Sequence, residues 1–342
     1  MFVLRNMTHN ELERMIIALD EPKYRVKQIE DWLYRKAVGK IEDMKNLPKS
    51  LFEKLSECAV VTQSKIYQKL ISKDGTLKYL LQFPDGNFVE MVLMRFDNRA
   101  NLTACISSQI GCKMGCKFCH TAKQGFTRNL TAHEMVEQVL TIMEDTGLKV
   151  TNVVFMGQGE PFDNYDEVYK AIEILNTNLE IGIRRITVST SGVVSRFDDY
   201  TSRKLLPTLA ISLHAPNDKI RDLIMPVNHK YSMEVLKKAM IKFNEVTGKR
   251  ITIEYILLEQ FNSTTRHAEE LAQYLKDVKC NINLIPYNSG DKSDFVKPSN
   301  RTIQLFKLIL EKSGKKVTQR LERGADIMAA CGQLTGKYLE KN

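Results

Sequence analysis

No run of about eighteen consecutive apolar residues occurs in this chain, which excludes an ordinary membrane-spanning helix. The opening stretch MFVLRNMTHNELERM has no apolar core behind a basic head, so the sequence predicts no export signal and a cytoplasmic protein. Proline and glycine are sparse, at 9 and 17 of 342 residues, and there is neither an internal repeat nor a low-complexity tract. With 43% hydrophobic and 27% charged residues, the composition is that of a globular protein long enough for one large domain plus a small one. The seven cysteines are odd in number and come without an export signal, so a disulfide framework is disfavoured against metal binding or catalysis.

Positive charge is in excess, with a net +9 and a sequence pI of about 9.0. That balance suits a polyanionic partner such as nucleic acid, although many basic proteins bind none. Thr8 to about Val60 reads as a helical module, opened by a Thr8/Glu11 capping box and containing Pro48 before Leu51 and Leu55. Lys23, Arg25, Lys27, Arg35, Lys36, Lys45 and Lys49 lie in this module. Taken singly, each is more simply a solvated helix face than a ligand for RNA.

Turn signals at Asp74-Gly75 and Asp85-Gly86 separate Ile66–Ile71, Leu77–Phe83 and Phe88–Phe96, a pattern that predicts a small antiparallel meander. From about Thr103 the pattern becomes strand-then-helix. Candidate strands are Ala104–Ser108, Asn152–Met156, Arg185–Thr190, Thr208–His214, Arg250–Leu258 and Asn281–Tyr287. Helices are expected between them, for example Ala132–Glu144 behind a Thr131/Glu134 capping box, and Met233–Val246. Six such units predict an α/β fold with a parallel sheet, a partial (β/α)6 TIM-type barrel rather than a closed one of eight. The expected division is a basic helical domain over 1–60, a β connector over 61–98, the barrel over 99–320 and a C-terminal segment over 321–342.

In a barrel, function belongs where strands end, and the unusual residues fall there. Gly157-Gln158-Gly159-Glu160 follows the second strand, Ser189-Thr190-Ser191 ends the third, Ser212-Leu213-His214 ends the fourth and Asn288 follows the sixth. The sharpest signal is Cys112-Lys113-Met114-Gly115-Cys116-Lys117-Phe118-Cys119, in which three thiolates can converge from one loop. Three are too few for a closed structural zinc site, unless a distant residue such as His120 completes it. A cubane iron–sulfur cluster also usually takes four cysteines, so a trio leaves one iron open.

In its CxxxCxxC spacing, in Phe118 before the last cysteine and in its place after the first strand, this loop resembles the radical S-adenosylmethionine superfamily. The resemblance implies a [4Fe-4S] cluster on Cys112, Cys116 and Cys119, with the methionyl amine and carboxylate of S-adenosylmethionine chelating the open iron. It also implies that Gly159 and Glu160 bind the methionyl amino group. Ser189, Ser212, Leu213, His214 and Asn288 would contact the ribose, adenine or carboxylate.

Several further stretches narrow the likeness: Cys105–Gln109, Gln124–Leu130, Ser212–Asn217, Asn283–Pro286 and Arg323–Leu334. In this order, and over nearly the whole chain, they are similar to the bacterial dual-specificity adenine-C2 RNA methyltransferases. That resemblance implies methylation of an adenosine in the peptidyl-transferase centre of 23S rRNA and of the adenosine beside the anticodon of certain tRNAs, with two S-adenosylmethionine molecules per turnover. It assigns Cys331 as the methyl carrier, Cys105 as the thiol that closes a disulfide and expels the product, and Glu90 as proton acceptor. An electron donor such as flavodoxin or ferredoxin is implied, and a monomer is expected.

Taken without their motifs, Cys105 and Cys331 would be small buried hydrophobes and Glu90 an exposed carboxylate on a strand edge. Cys58 and Cys280 carry no matching motif and are read as core residues. The sequence departs from the family pattern at His120-Thr121-Ala122 and at Gln158. Two other functions are weighed, a sister adenine-C8 methyltransferase and a non-catalytic, zinc-stabilised RNA-binding protein.

Overall fold

One sheet of ten strands organises the chain, and its strands lie side by side in the order in which they occur in sequence. The computed structural model describes residues 1–96, 99–288 and 295–335. Lys65–Ile71 (β1), Leu77–Gln82 (β2), Phe88–Phe96 (β3) and Arg99–Ile106 (β4) run antiparallel to one another. From β4 onward every pairing is parallel: Asn152–Phe155 (β5), Ile186–Thr190 (β6), Thr208–Ser212 (β7), Ile251–Leu257 (β8), Cys280–Pro286 (β9) and Lys316–Gln319 (β10).

A helix follows each strand from β4 to β9, over 132–146, 165–177, 197–202, 233–247, 265–274 and 300–312. This is the partial (β/α)6 barrel expected from the sequence, with β10 as a further parallel strand that the sequence pattern does not announce. The meander is not a separate unit. Its last strand pairs with the first barrel strand, Val92 opposite Cys105, so it extends the barrel sheet.

Local chemistry explains the element starts. Thr8 and Thr131 accept from the backbone N–H of Glu11 and Glu134 while those glutamates reach back to the cap N–H, closing both expected capping boxes. The barrel strands are apolar runs because both sheet faces are covered, and Val153, Ile186, Leu209, Ile211, Ile253 and Ile282 are all fully buried or nearly so. Cys280 belongs to this core and Cys58 packs against it, as expected. Among the described residues no helix is long and apolar enough to cross a membrane.

The N-terminal helices are pinned to the barrel by Arg5. Its guanidinium is 2% exposed and donates to Glu137 Oε1 at 2.9 Å, Glu144 Oε2 at 3.1 Å and the carbonyls of Ala37 and Val38 at 3.1 and 2.9 Å. Arg5→Ala strands Glu137 as a buried anion, so a loss of about 3–5 kcal/mol is expected in urea unfolding. A loss below about 1 kcal/mol would mean that the contact contributes nothing to domain docking.

Candidate active site

The three cysteines sit on a loop that is closed at its neck. Gln109–Gly111 pairs antiparallel with Phe126–Asn129, and the Cys112 N–H donates to the Gly125 carbonyl at 2.8 Å. Gly111 has φ of 75°, and a β-carbon there would stand 2.0 Å from the Gly125 oxygen, so only glycine closes the neck. The loop tip is docked in turn on the barrel mouth. Lys117 N–H donates to the Ile224 carbonyl at 3.0 Å, and Phe118 meets His214 edge to face at 5.0 Å.

Beneath the loop lies a cavity at the C-terminal ends of the strands, walled on one side by Cys112, Cys116 and Cys119. Facing them is the turn after β5. A β-carbon on Gly157 would fall 2.6 Å from Ser107 Oγ, and one on Gly159, where φ is 104°, would fall 2.7 Å from Gln109 Cβ. Both glycines are therefore required by close backbone approach. Gln158, where the chain departs from the family pattern, is buried and accepts the Glu90 N–H on its Oε1 at 3.0 Å, tying the turn to β3. Glu160 is 3% exposed and accepts the N–H groups of Phe162 and Ser191 at 2.9 and 2.7 Å. Burial raises its pKa in spite of those donors.

Ser189 and Ser212 face the cavity from adjacent strands, their hydroxyls 3.3 Å apart. Ser212 is in register with Glu254, and Glu254 with Asn283, whose amide donates to Glu254 Oε1 at 3.0 Å. His214 has φ of 58° and accepts the Ile256 N–H on Nδ1 at 3.0 Å. Burial, then the nearby Arg221 charge, lowers its pKa to about 3, so the ring is neutral with its proton on Nε2. Leu213 does not line the cavity, because its side chain lies in the main core. Asn288 lines an adjoining cavity, together with Cys105 and Cys331.

These residues fit an iron–sulfur cluster and its nucleoside partner. Burial pushes the Cys112 thiol up to about 12 and Cys116 well above its ordinary value, and each is further opposed by its neighbouring thiolates and by Glu160. Only a strongly positive centre beside them draws such thiols into the thiolate form in which cysteine binds metal. Among the described residues, no three His, Cys, Asp or Glu gather tightly enough for one metal ion. A cluster takes its thiolates spread more widely. Glu254 Oε2 and Ser191 Oγ are buried without a hydrogen-bond partner, and both residues line the cavity.

The adjoining cavity holds the second set of candidates. Cys105 on β4 and Cys331 both line it, with Arg320 at the boundary of the two spaces. Burial, then the Cys331 charge, pushes the Cys105 thiol up to about 12, and Arg320 opposes the shift. Glu90 lies two residues before Val92, which is opposite Cys105, and hence on the same face of β3. It is neither exposed nor on an edge: it is 1% exposed on an interior strand, because β2 and β4 cover both sides of β3. Its Oε1 pairs with Lys78 Nζ at 2.6 Å and its Oε2 accepts the Thr335 N–H.

Cys331 rides on a strap fixed at several points. Asp326 accepts from Ser72 Oγ at 2.5 Å and from the Lys73 N–H at 3.1 Å. His120 N–H donates to the Gly332 carbonyl and Thr121 Oγ1 to the Leu334 carbonyl, both at 2.7 Å. The other departure from the family pattern, just after the cysteine loop, thus anchors the strap.

Sequence reasoning missed Lys78, Arg221, Glu254 and Arg320. Arg221 is fully buried and donates to the carbonyls of Leu213, Ser191 and Ser212 at 3.1, 2.5 and 3.4 Å, bracing the turns around the cavity. A charged residue inside an apolar strand run was the one available signal for Glu254. Of the N-terminal cations, Lys23, Lys36 and Lys49 pair with local carboxylates at the surface, and Arg35 pairs with Asp31 of its own helix and with Glu180 of the barrel. Exposed pairs of this kind are weak and leave those charges available to phosphate.

The barrel, the three-cysteine loop and the glycine turn define a radical S-adenosylmethionine enzyme. The Radical SAM superfamily profile matches residues 106–267, and the profile of the ribosomal RNA large subunit methyltransferase N-terminal domain matches residues 3–61. A probable dual-specificity RNA methyltransferase RlmN of Thermoanaerobacter sp. is 45% identical over the whole of both chains. Another, of Alkaliphilus oremlandii, is 45% identical over 98% of each. The crystal structure of a radical SAM methyltransferase from Sphaerobacter thermophilus superposes with a TM-score of 0.93 at 40% identity, covering 98% of this chain and 100% of that one. This chain belongs to the RlmN family of radical SAM RNA methyltransferases.

Proposed function

We propose that the protein methylates carbon 2 of adenosine in 23S rRNA and tRNA through a methyl group carried on Cys331. The observation that carries this reading is the placement of Cys331 and Cys105 in one cavity adjoining that of the three cluster cysteines. Carbon 2 of adenine is an electron-poor CH with no lone pair, so an ordinary polar methyl transfer does not reach it. When bound, the cluster and S-adenosylmethionine supply one-electron cleavage of the sulfonium and a radical that activates the methyl group on Cys331.

The protein's own residues do the rest. Cys112, Cys116 and Cys119 hold the cluster, and Glu160, Ser189, Ser212 and His214 form the bed of S-adenosylmethionine, two molecules of which serve each turnover. Cys331 accepts the methyl group as a thiolate nucleophile and later carries it to the base. Glu90 takes the C2 proton. Cys105 then attacks Cys331 Sγ: an S–S bond forms, the S–C bond breaks, and its electron pair stays with the methylene carbon, which takes up a proton.

The base must leave its stack to reach the cavity. The helical domain over 1–60 would hold the RNA backbone, which positions without specifying. In this reading the connector is 61–98, the barrel 99–320 and the carrier segment 321–342. Exposed Lys113 and Lys117 on the cluster loop suit an acidic electron carrier of flavodoxin or ferredoxin type, and the protein acts as a monomer in the cytoplasm.

The test is nucleoside mass spectrometry of 23S rRNA and tRNA incubated with anaerobically reconstituted protein carrying about four irons per chain. 2-Methyladenosine in both RNAs is expected. 8-Methyladenosine in its place would overturn the C2 assignment.

A further inference from the structure

Lys78 is a cation with almost no access to water, and none of the chemistry above uses it. It lies on β2 at 3% exposure, and its ammonium contacts Glu90 Oε1 at 2.6 Å and the Met328 carbonyl at 3.0 Å. Glu90 Oε2 in turn accepts the Thr335 N–H. Met328 and Thr335 flank Cys331 on the strap, three residues before it and four after. The buried pair therefore grips the strap on both sides of the methyl-carrying thiol. Burying two charges costs solvation that their attraction barely recovers, so hydrophobic residues would hold the strap at least as well. Such a pair is better explained by what it places than by what it stabilises.

We propose that Lys78 is the positioning residue of the proton-transfer step: it fixes the Glu90 carboxylate beside the Cys331 strap, facing the base that Cys331 has joined. The inference rests on the reading of Glu90 as proton acceptor. In that step the C2–H bond breaks, its electron pair stays in the ring of the adduct, Glu90 becomes a carboxylic acid, and the odd electron left in the ring by radical addition would return to the cluster that had supplied one for cleavage of the sulfonium. An ammonium at 2.6 Å orients one carboxylate oxygen and leaves the rest of the group to face the strap. Without it Oε1 loses its cationic partner, and the Thr335 N–H on Oε2 is left to orient the group about a single hydrogen bond from the strap. Other contacts hold the strap independently of Lys78: Asp326 with Ser72 and Lys73, Gly324 with Asp74, and Gly332 and Leu334 with the cluster loop. Loss of Lys78 should therefore spare methylation of Cys331 and strike the later step.

The test compares Lys78→Met, Lys78→Arg, Glu90→Gln and the K78M/E90Q double variant, each reconstituted and mixed with an rRNA fragment and S-adenosylmethionine. Intact-protein mass reads methyl on Cys331, a denaturing gel reads covalent protein–RNA adduct, and nucleoside analysis reads product. K78M is expected to carry methyl on Cys331 to the wild-type extent. Its 2-methyladenosine yield should fall at least about 30-fold, with adduct accumulating as in E90Q. K78R should recover much of the yield. The double variant, which buries no unmatched charge, should fold like the wild type and behave like E90Q. Product within twofold of wild type in K78M overturns the proposal, as does parallel loss of Cys331 methylation and product. If K78M accumulates adduct but E90Q does not, the reading of Glu90 fails and the role given to Lys78 falls with it.

Discussion

Cys331→Ala protein is expected to bind its cluster and S-adenosylmethionine normally yet to methylate no RNA. The side chain lines the boundary between the two cavities, and the other thiol of the adjoining cavity, Cys105, is a poor methyl acceptor, because burial at 7% exposure on β4 pushes its thiol up to about 12. Removing the nucleophile of a covalent route typically costs at least roughly a thousandfold, because the remaining residues have no alternative path to offer. The cluster ligands are on a separate loop, so the brown colour and iron content should survive. The measurement is incorporation of labelled methyl into RNA beside iron content. RNA methylation within tenfold of wild type would remove Cys331 from the reaction.

Cys105→Ala is expected to fail later and more visibly. Methyl transfer to Cys331 and attachment to RNA need no second thiol, so both proceed, and the protein stops as a covalent RNA adduct. A denaturing gel should show an RNase-sensitive band holding most of the active protein, with turnover of at most about one. If free methylated RNA is released at the wild-type rate, Cys105 has no part in release.

The wild type should show the same step through its pH dependence. Burial pushes the Cys105 thiol up to about 12, so near neutrality only a small fraction is thiolate, and that fraction rises about tenfold per pH unit. Adduct lifetime is therefore expected to shorten from pH 7 to pH 9. A lifetime that is flat or lengthens over that range would contradict thiolate attack by Cys105.

Much of this architecture is legible in the chain because its signals are local. The barrel strands are short apolar runs between capped helices, and the ends of β5, β6, β7, β8 and β9 fall within one or two residues of the sequence expectation. The cysteine loop is legible for the same reason, since its spacing alone brings three thiolates together. What escapes is whatever depends on register between distant strands. Lys316–Gln319 is four residues long and mostly polar, with too little pattern to announce a strand. Lys78 and Arg320 stand in no motif, and it is the pairing of their strands with neighbours that brings Lys78 to the strap and Arg320 to the cavities. The strap contacts join residues more than 200 positions apart, as Thr121 and Leu334 do, and no periodicity encodes them.

The pairing of β3 with β4 has one more consequence. Glu90 and Cys105 stand on hydrogen-bonded neighbours, so their separation is set by the pleat of the sheet and no loop movement can alter it. Of the three residues proposed for the reaction, two are thus mounted on the frame, and Cys331 is carried on the strap outside it. Its place is set instead by the hydrogen bonds that tie Asp326, Gly332 and Leu334 to the body of the protein.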